Sequence, residues 1–399
     1  MEFVKHSECD NLEDLKFYIN NALHEDERKK FIEVYMPFIE FLSNLFSISE
    51  INNISISRLQ CASLIAKCFL NKIQPVESNE DGYRSKSFID IFNKHVSAIN
   101  DIDNNESHHD YIMRMLTSES FNDDDISSLH IEKIKFIMNY FHNIYKLYKE
   151  SIKLLTNDFV YFEKKKLTDK LDFTVEKPLS KVKLNTDKIE NCETGSGIAK
   201  VLFANKFIGG KVLSKGCCQE EIKFLTNPEL LVGLILFNKI EDDEALVING
   251  TITFSGYTGY GFELMFKELD SDLCLNNLKK EYLIEIDAYR YTNQNKRLQY
   301  EFNYKNRDLQ KAIIGFQNLD NRIDTIATGN WGCGAFNGDF KLKFLIQWYA
   351  ASFCGKDLVY SIPSPNSNRF QILELTKLME PLLFLTTKEL LSAIYEFNR

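Results

Sequence analysis

Apolar side chains recur every three or four positions through the first part of the chain, which is the spacing of an amphipathic helix. The pattern runs from Leu12 to Phe46, over Ser55–Leu70 and, most strongly, over Ser128–Leu155. A shorter helix is predicted over Ser87–Val96. The first part of the chain is therefore predicted to be an all-α domain.

Beyond Pro178 the apolar runs become shorter and richer in β-branched residues, which is typical of strands. The strand candidates are Val182–Asn185, Ala199–Asn205, Glu229–Val232, Ala245–Ile248, Tyr282–Ile286, Thr325–Ala327 and Leu358–Ile362. Helical patterns alternate with them at Gln219–Leu225, Lys305–Phe316, Asp339–Phe353 and Thr387–Tyr395. Strands alternating with helices predict an α/β layer fold. We place a helical accessory domain at residues 1–165 and the α/β domain at 166–399, with the basic run Lys164–Lys166 in the connector.

The distribution of histidine and glycine limits the chemistry of the second part. All seven histidines lie at or before His142, and only Gly82 precedes Gly195. A histidine-based triad or zinc site there would need a residue from the first part. Carboxylates are therefore the expected acid and base. We interpret His108-His109-Asp110, in an acidic stretch, as a solvated loop and not a metal site.

Charge and composition restrict the partners. The net charge of −9 gives no general attraction for nucleic acid, so we expect no direct DNA binding. No apolar window is long enough for a membrane helix, and the first residues lack the apolar core of a signal peptide. The nine cysteines are then expected to be reduced thiols in an intracellular protein of the nucleus, the cytoplasm or both.

The stretch Asn205–Glu221 carries the first candidate site. A strand-like run leads into it, and the helix-like run Ile222–Leu225 leads out. Between them a glycine-bearing loop delivers Glu220 and Glu221 to a helix start, where an acid can reach a ligand that the loop wraps. Adjacent residues on a helix point in different directions, so the two glutamates should have different roles.

A second glycine loop, Ile326–Asp339, lies between a short strand and a strongly apolar helix. This arrangement directs backbone N–H groups at phosphate oxygens, although the loop matches neither a Walker sequence nor the dinucleotide fingerprint. Asp339 is a predicted N-cap, and Gly355 follows the end of the helix. Trp331 and Phe336 either pack on a sugar or base or anchor the loop in the core.

A third stretch, Gly250–Gly261, places Tyr257 and Tyr260 between glycines. The tyrosines can stack on a base or buttress a turn. Three glycine-aromatic loops in one α/β domain favour a nucleotide-type ligand.

These residues together resemble the poly(ADP-ribose) glycohydrolase family. The family signature is a glycine triplet, a spacer and Gln-Glu-Glu, and it stands here as Gly209-Gly210-Lys211, Val212–Cys218 and Gln219-Glu220-Glu221. Further matching stretches are Phe203–Asn205, Asn227–Leu230, Tyr257–Tyr260, Ile286–Ala288 and Ala327–Phe336. Leu59–Ala66 and Lys135–Phe141 resemble the family's helical accessory domain.

The resemblance implies a macrodomain, an α/β/α sandwich with a mixed sheet, preceded by an all-α accessory domain. It implies hydrolysis of the ribose–ribose O-glycosidic bond of poly(ADP-ribose), with release of ADP-ribose and without a metal or cofactor. Glu221 would be the general acid and then the base, since a carboxylic acid is the usual proton donor to a glycosidic oxygen. Glu220 and Asn205 would hold the riboses around the scissile bond.

The resemblance also implies the substrate-binding residues. The signature contributes Gly209, Gly210 and Gln219. The diphosphate loop contributes Asn330, Gly332, Gly334, Ala335 and Phe336, with Phe336 against the terminal ribose. Tyr260 would stack on the adenine, and Ile189 and Glu190 would meet the adenine edge.

The chain departs from the family pattern at three places. Lys211 replaces the third glycine of the triplet, where a positive φ would strain a lysine. Leu202 replaces the usual aspartate before Phe-Ala-Asn, and Ser361–Pro365 replaces a Phe-Gly-Asp type sequence. All three bear on substrate contacts and leave both glutamates in place.

Two other functions are compatible with the same residues. One is a catalytically weak or inactive module that binds ADP-ribose or poly(ADP-ribose), and the other is an enzyme for a different ADP-ribose derivative. The retained pair Glu220 and Glu221 favours turnover. Poly(ADP-ribosyl)ated proteins are the expected partners, in the DNA damage response, and the chain is expected to be a monomer without membrane contact.

Overall fold

The computed structural model describes most of the chain. The described ranges are residues 29–45, 55–69, 123–167, 171–192, 197–213, 215–237, 239–269, 279–362 and 368–398. The helix predicted over Ser87–Val96, the first residues of the Leu12–Phe46 helix and the stretch His108-His109-Asp110 lie outside these ranges.

The α-helices of the described ranges largely follow the apolar periodicity. They are α1 (Met36–Ser43), α2 (Arg58–Phe69), α3 (Asp123–Asn157), α4 (Gln219–Thr226), α5 (Gly233–Leu236), α6 (Phe302–Phe316), α7 (Phe340–Phe353), α8 (Asn368–Met379) and α9 (Thr387–Glu396). Helix α3 is interrupted by an extended backbone conformation at Ser151. The sequence pattern did not predict α8. None of these helices is both long and apolar enough to cross a membrane.

Ten strands accompany the helices in the described ranges. They are β1 (Ser55–Ser57), β2 (Phe159–Lys166), β3 (Val182–Asn185), β4 (Ile198–Ala204), β5 (Glu244–Thr251), β6 (Gly256–Thr258), β7 (Met265–Lys267), β8 (Glu281–Asp287), β9 (Thr325–Gly329) and β10 (Asp357–Ser361). Six of the seven strand candidates are confirmed, with ends that shift by a few residues.

Two predicted elements are wrong. Glu229–Val232 is not a strand, because Pro228 opens a 3-10 turn, Pro228–Val232, in which every residue is buried. A run that is buried on all sides lacks the alternation of buried and exposed positions that distinguishes a strand from a buried helical segment. Lys164–Lys166 is not a connector but the end of β2, which alternates buried Phe162 with exposed Tyr161. The three consecutive lysines hide this alternation in the sequence, because one lysine stands at a buried position of the strand.

The chain forms two compact units, each assembled from separate stretches. We call Met1–Val160, Gly209–Asn238 and Ile252–Leu278 the helical unit, and Tyr161–Ile208, Lys239–Thr251 and Lys279–Arg399 the sheet unit. The predicted domain boundary between residues 165 and 166 remains a prediction.

A buried ion pair fixes the end of the signature region inside the helical unit. Arg58 opens α2, and its guanidinium donates to Glu229 at 2.5 Å and to Asp158 at 2.9 Å. Arg58 and Glu229 are both fully buried, and Glu229 also accepts from the N–H of Ile252. Removing one partner of such a pair costs about 3–5 kcal/mol, since it leaves a buried charge without compensation. The pair therefore anchors the chain that follows α4.

The sheet unit is built on a mixed sheet with the strand order β2-β5-β8-β4-β9-β10-β3. Strands β8, β4, β9, β10 and β3 run parallel, while β5 is antiparallel to both β8 and β2. Apolar side chains of the sheet, among them Val201, Val247 and Ile284, share one core with α6, α7 and α9. The expected fold class, a macrodomain-like mixed α/β sheet with a helical region before it, is confirmed.

The parallel strands end at a common carboxyl edge, where open α/β sheets bind ligands. The 3-10 turn Ile189–Asn191 follows β3, Asn205 follows β4, and the loop Asn330–Phe336 follows β9. Every site residue predicted in the sheet unit therefore comes after the carboxyl end of a strand of the same parallel set.

Candidate active site

Helix α4 begins where the glycine loop of the helical unit ends. Cys218 is the N-cap, with extended backbone, and Glu220 and Glu221 lie in the first turn. The N-terminus of a helix carries partial positive charge, so carboxylates are stabilised there. The helix start predicted from the sequence is confirmed, together with the position of both acids.

Glu221 is held by the loop through both of its carboxylate oxygens. The N–H of Lys211 donates to Oε1 at 3.0 Å, and the N–H of Cys218 donates to Oε2 at 2.8 Å. The side chain is only 8% exposed. Each carboxylate oxygen has two lone pairs, so a position remains on each for a proton or for a hydrogen bond from a substrate hydroxyl. The group can therefore exchange a proton while the loop keeps its orientation.

Glu220 is held separately from Glu221. The N–H of Gly209 donates to its Oε1 at 2.8 Å, and the side chain is 3% exposed. Successive residues of an α-helix are about 100° apart around the axis, so the two side chains leave α4 at different angles. One oxygen of each carboxylate nevertheless lies beside Gly210.

The first two positions of the triplet require glycine. Gly209 and Gly210 have φ of 77° and 51°. A Cβ on Gly210 would lie 2.6 Å from Oε1 of Glu221 and 2.8 Å from Oε2 of Glu220. Lys211 is not among the described non-glycine residues with positive φ, so the strain considered for a lysine at the third position does not arise.

Replacing Gly210 by alanine is expected to move both glutamates. We expect Gly210→Ala to lower the rate of the hydrolysis that the family resemblance implies by about tenfold to hundredfold, since small displacements of reacting groups cost that much. The substitution should also cost about 1–3 kcal/mol of stability from the positive φ. Single-turnover kinetics and thermal unfolding measure the two effects.

Gly355 provides the matched control. It also has a positive φ, 67°, but a Cβ there would meet no atom within 4 Å. Gly355→Ala should lower the melting temperature and leave the rate unchanged. Equal rates for Gly210→Ala and the wild type would contradict the close approach of Gly210 to the carboxylates.

Tyr260 is fixed at the start of α4 by its hydroxyl. The hydroxyl donates to the thiol of Cys218 and accepts from the backbone N–H of Gln219. Tyr260 is nonetheless 57% exposed, and the N–H of Gly261 donates to the Cys217 carbonyl at 3.2 Å. An anchored hydroxyl and an exposed ring are what a stacking platform needs.

In the sheet unit, the predicted residues after β3 and β4 are held by hydrogen bonds within that unit. The side-chain oxygen of Asn205 accepts from the N–H of Phe207 at 3.1 Å, which closes a turn directly after β4. Ile189 is buried in its 3-10 turn, and the carbonyl of Glu190 accepts from the ammonium of Lys200 at 3.0 Å. The backbone at both places is therefore fixed before any ligand is bound.

The loop after β9 is anchored in the core by Trp331. This side chain is fully buried and donates from its ring nitrogen to the Ile286 carbonyl at 3.0 Å. Of the two roles open for Trp331, core anchor is the correct one. Gly332 has a φ of 70°, and a Cβ there would lie 2.5 Å from Ala288, so glycine is required beside this anchor.

The tip of the same loop has unused hydrogen-bond donors. No described residue accepts a hydrogen bond from the backbone N–H of Gly334, Ala335 or Phe336. The start of α7 is different, because the Asp339 carboxylate accepts from the N–H groups of Lys341 and Leu342. An anion at this loop would therefore be bound by the tip and not by the helix start, where the predicted N-cap Asp339 is confirmed.

Sequence reasoning missed the charges beneath this loop. Lys343 of α7 is fully buried, forms an ion pair with Asp308 of α6, and lies 4.1 Å from the centre of the Trp331 ring. A lysine on the inward side of an apolar helix was the available signal, since buried charges are rare unless paired. The ammonium and the indole together support the backbone of the glycine loop.

Comparison with known proteins agrees with the resemblance. Residues 171–368 match the family described as poly(ADP-ribose) glycohydrolase (PARG), macro domain fold. Poly(ADP-ribose) glycohydrolase 1 of Caenorhabditis elegans is 40% identical over 173 residues, which are 40% of this chain and 22% of that protein. Probable poly(ADP-ribose) glycohydrolase 2 of Arabidopsis thaliana is 30% identical over 269 residues, 55% of this chain and 49% of that protein. The chain thus spans less than half the length of either relative.

A solved structure, poly(ADP-ribose) glycohydrolase from Thermomonospora curvata, is 11% identical with a TM-score of 0.32. The alignment covers 50% of this chain and 78% of that one. A likeness at this level carries no argument about the site.

Proposed function

Through residues 171–368 the chain belongs to the poly(ADP-ribose) glycohydrolase family, and from this premise we propose that it hydrolyses the ribose–ribose O-glycosidic bonds of poly(ADP-ribose) and releases ADP-ribose. The observation that carries the proposal is the position of Glu221. It is a buried carboxylate at a helix start, held by two loop N–H groups, with a lone pair left on each oxygen.

In the first step Glu221, protonated, gives its proton to the ribose oxygen that leaves. The bond between that oxygen and the anomeric carbon breaks, the electron pair goes to the oxygen, and an oxocarbenium-like sugar forms. The carboxylate of Glu221 and that of Glu220 place negative charge near the developing cation, which lowers its energy in a buried site.

In the second step Glu221, now a carboxylate, takes a proton from water. The water oxygen bonds to the anomeric carbon, and the released product carries a hydroxyl there. Glu221 ends protonated, so the cycle closes without a metal or a second acid. The helix start and the N–H groups of Lys211 and Cys218 stabilise the carboxylate between the two steps.

The remaining residues take binding roles in the proposal. Glu220 and Asn205 hold the riboses, and the unused N–H groups of Gly334, Ala335 and Phe336 bind the diphosphate, with Phe336 against the ribose. Tyr260 stacks on the adenine. Gly209, Gly210 and Gln219 shape the signature loop, Asn330 and Gly332 shape the diphosphate loop, and Ile189 and Glu190 meet the adenine edge.

The proposal extends to partners and place in the cell. We assign poly(ADP-ribosyl)ated proteins as substrates, a monomeric state without direct DNA binding, and a role in the DNA damage response in the nucleus, the cytoplasm or both. The net charge of −9 supports the absence of DNA binding, because DNA is a polyanion.

The test is to incubate the protein with purified poly(ADP-ribose) and separate the products by chromatography. Time-dependent release of free ADP-ribose is the expected result. Binding of ADP-ribose in calorimetry without any release would replace the proposal by a non-catalytic ADP-ribose-binding module. Release only from proteins that carry a single ADP-ribose would indicate a different hydrolase.

A further inference from the structure

Lys133 is a buried lysine of α3 whose ammonium is directed at the signature loop. It is 3% exposed, and its Nζ donates to the carbonyls of Val212 at 3.0 Å and Gly216 at 2.6 Å. It also forms a hydrogen bond to the side chain of Cys217. These acceptors lie between the glycine pair and the start of α4.

A lysine in this position is costly for the fold. Burial lowers the pKa of Lys133, while the nearby Cys217 and Glu221 act in the opposite direction. A methionine would fill a similar volume without the cost of burying a charge. Packing alone therefore gives no reason for the ammonium.

The backbone that Lys133 contacts is connected to Glu221 by two successive hydrogen bonds. The N–H of Gly216 donates to the Lys211 carbonyl at 3.0 Å, and the N–H of Lys211 in turn donates to Glu221. Gly216 also lies directly against the acid, because a Cβ there would be 2.7 Å from Oε1 of Glu221. The segment that Lys133 fixes is thus the segment that contacts the Glu221 carboxylate.

A neighbouring face of α3 holds a second loop. Glu132 accepts from the N–H of Phe266 in β7 at 2.7 Å, and Asn139 donates to the Phe254 carbonyl at 2.8 Å, just before β6. Strands β6 and β7 form the hairpin that carries Tyr260. Helix α3 therefore contacts both the loop of the acid and the loop of the aromatic platform.

We propose that Lys133 is a positioning residue for the hydrolysis step. It holds the carbonyls of Val212 and Gly216 and so keeps the Lys211 and Cys218 N–H groups directed at Glu221. The inference rests on the proposed function, and it assigns the helical region a part in orienting the acid.

The test compares Lys133→Met and Lys133→Arg with the wild type. We expect Lys133→Met to lower kcat for ADP-ribose release by about tenfold to hundredfold, because displacing a catalytic group has an effect of this size. KM and the affinity for ADP-ribose should change by less than about threefold, since the loss falls on the transition state. Arg, which keeps the charge and the donors, should recover part of kcat.

Lys67 offers a matched control. It also donates from its ammonium to a backbone carbonyl, but it lies on α2 and its acceptor is Ser43 of α1. Lys67→Met should leave kcat unchanged. Lys133→Gln, which keeps a neutral donor, provides a second variant where Met does not yield folded protein.

The outcomes separate the two claims. No release by the wild type overturns the proposed function and this inference with it. Release by the wild type with unchanged kcat in folded Lys133→Met overturns the inference alone. The inference is also overturned if Lys67→Met lowers both kcat and the melting temperature as much as Lys133→Met does. Such a result would indicate general destabilisation.

Discussion

Glu221→Gln is expected to lower the rate of ADP-ribose release by about 10³-fold, which is the range for loss of a general acid. Glutamine keeps the shape of the side chain but cannot give a proton to the leaving oxygen or take one from water. Its amide NH₂ would also face one of the two N–H donors, from Lys211 or Cys218, that the carboxylate now accepts. A buried mismatch of this kind costs about 1–3 kcal/mol, so melting temperature must be measured beside activity.

Titration with ADP-ribose separates loss of chemistry from loss of folding. The Glu221→Gln variant should still bind ADP-ribose, whereas Glu220→Gln should alter KM as well as kcat, because Glu220 is assigned to holding the ribose. Release by Glu221→Gln at the wild-type rate would contradict the assignment of Glu221 as the acid and leave the family membership untouched.

Glu285→Gln is expected to stabilise the protein at pH 8 and to leave its stability unchanged at pH 4. Glu285 lies on β8, is fully buried, and has no hydrogen-bond partner for either oxygen among the described residues. Its neighbours in register on the adjacent strands are Leu202 and Leu246. Burial raises the pKa of Glu285 from 4.5 to about 8.

The direction of the pH effect follows from proton binding. Below pH 4.5 Glu285 is protonated in both the folded and the unfolded state. Between pH 4.5 and about 8 the folded state keeps a proton that the unfolded state has released, so the free energy of unfolding falls as pH rises. Above that window Glu285 adds no further dependence. Glutamine has no proton to lose. The free energy of unfolding of Glu285→Gln relative to the wild type should therefore rise by about 1.4 kcal/mol per pH unit within the window.

Urea unfolding of both proteins at several pH values measures this difference. Glu176 is exposed on the sheet unit, and Glu176→Gln is the matched control that should show no such trend. If the difference in the free energy of unfolding between Glu285→Gln and the wild type stays constant from pH 5 to pH 8, Glu285 is not protonated in the folded state.

The sequence predicted most elements because their periods are local properties. The long pattern over Ser128–Leu155 became α3, and β3 has the predicted ends. Glu229–Val232 failed because burial on all sides removes the alternation on which the prediction depends. Helix α8 was missed since its apolar and polar residues do not separate clearly into two faces.

The site was predicted as far as it lies in contiguous motifs. Glu220, Glu221 and the glycines before them could be identified because the loop and the helix start are adjacent in sequence. Lys133 could not, because it meets its partners only after the chain has folded. For Lys343 the available signal, a lysine on the inward side of an apolar helix, did not identify its partners. The donors of Gly334, Ala335 and Phe336 were expected in this loop, and the predicted N-cap Asp339 is confirmed at the start of α7.

The bond from Lys133 to the Gly216 carbonyl spans 83 residues of sequence. Contacts of such separation form late in folding, since the entropy of closing a long loop must first be offset. During synthesis α3 leaves the ribosome before the signature loop, and the helical unit is complete only when both have emerged. The support of the acid therefore precedes the acid in the order of synthesis, and the bond between them waits for the later stretch.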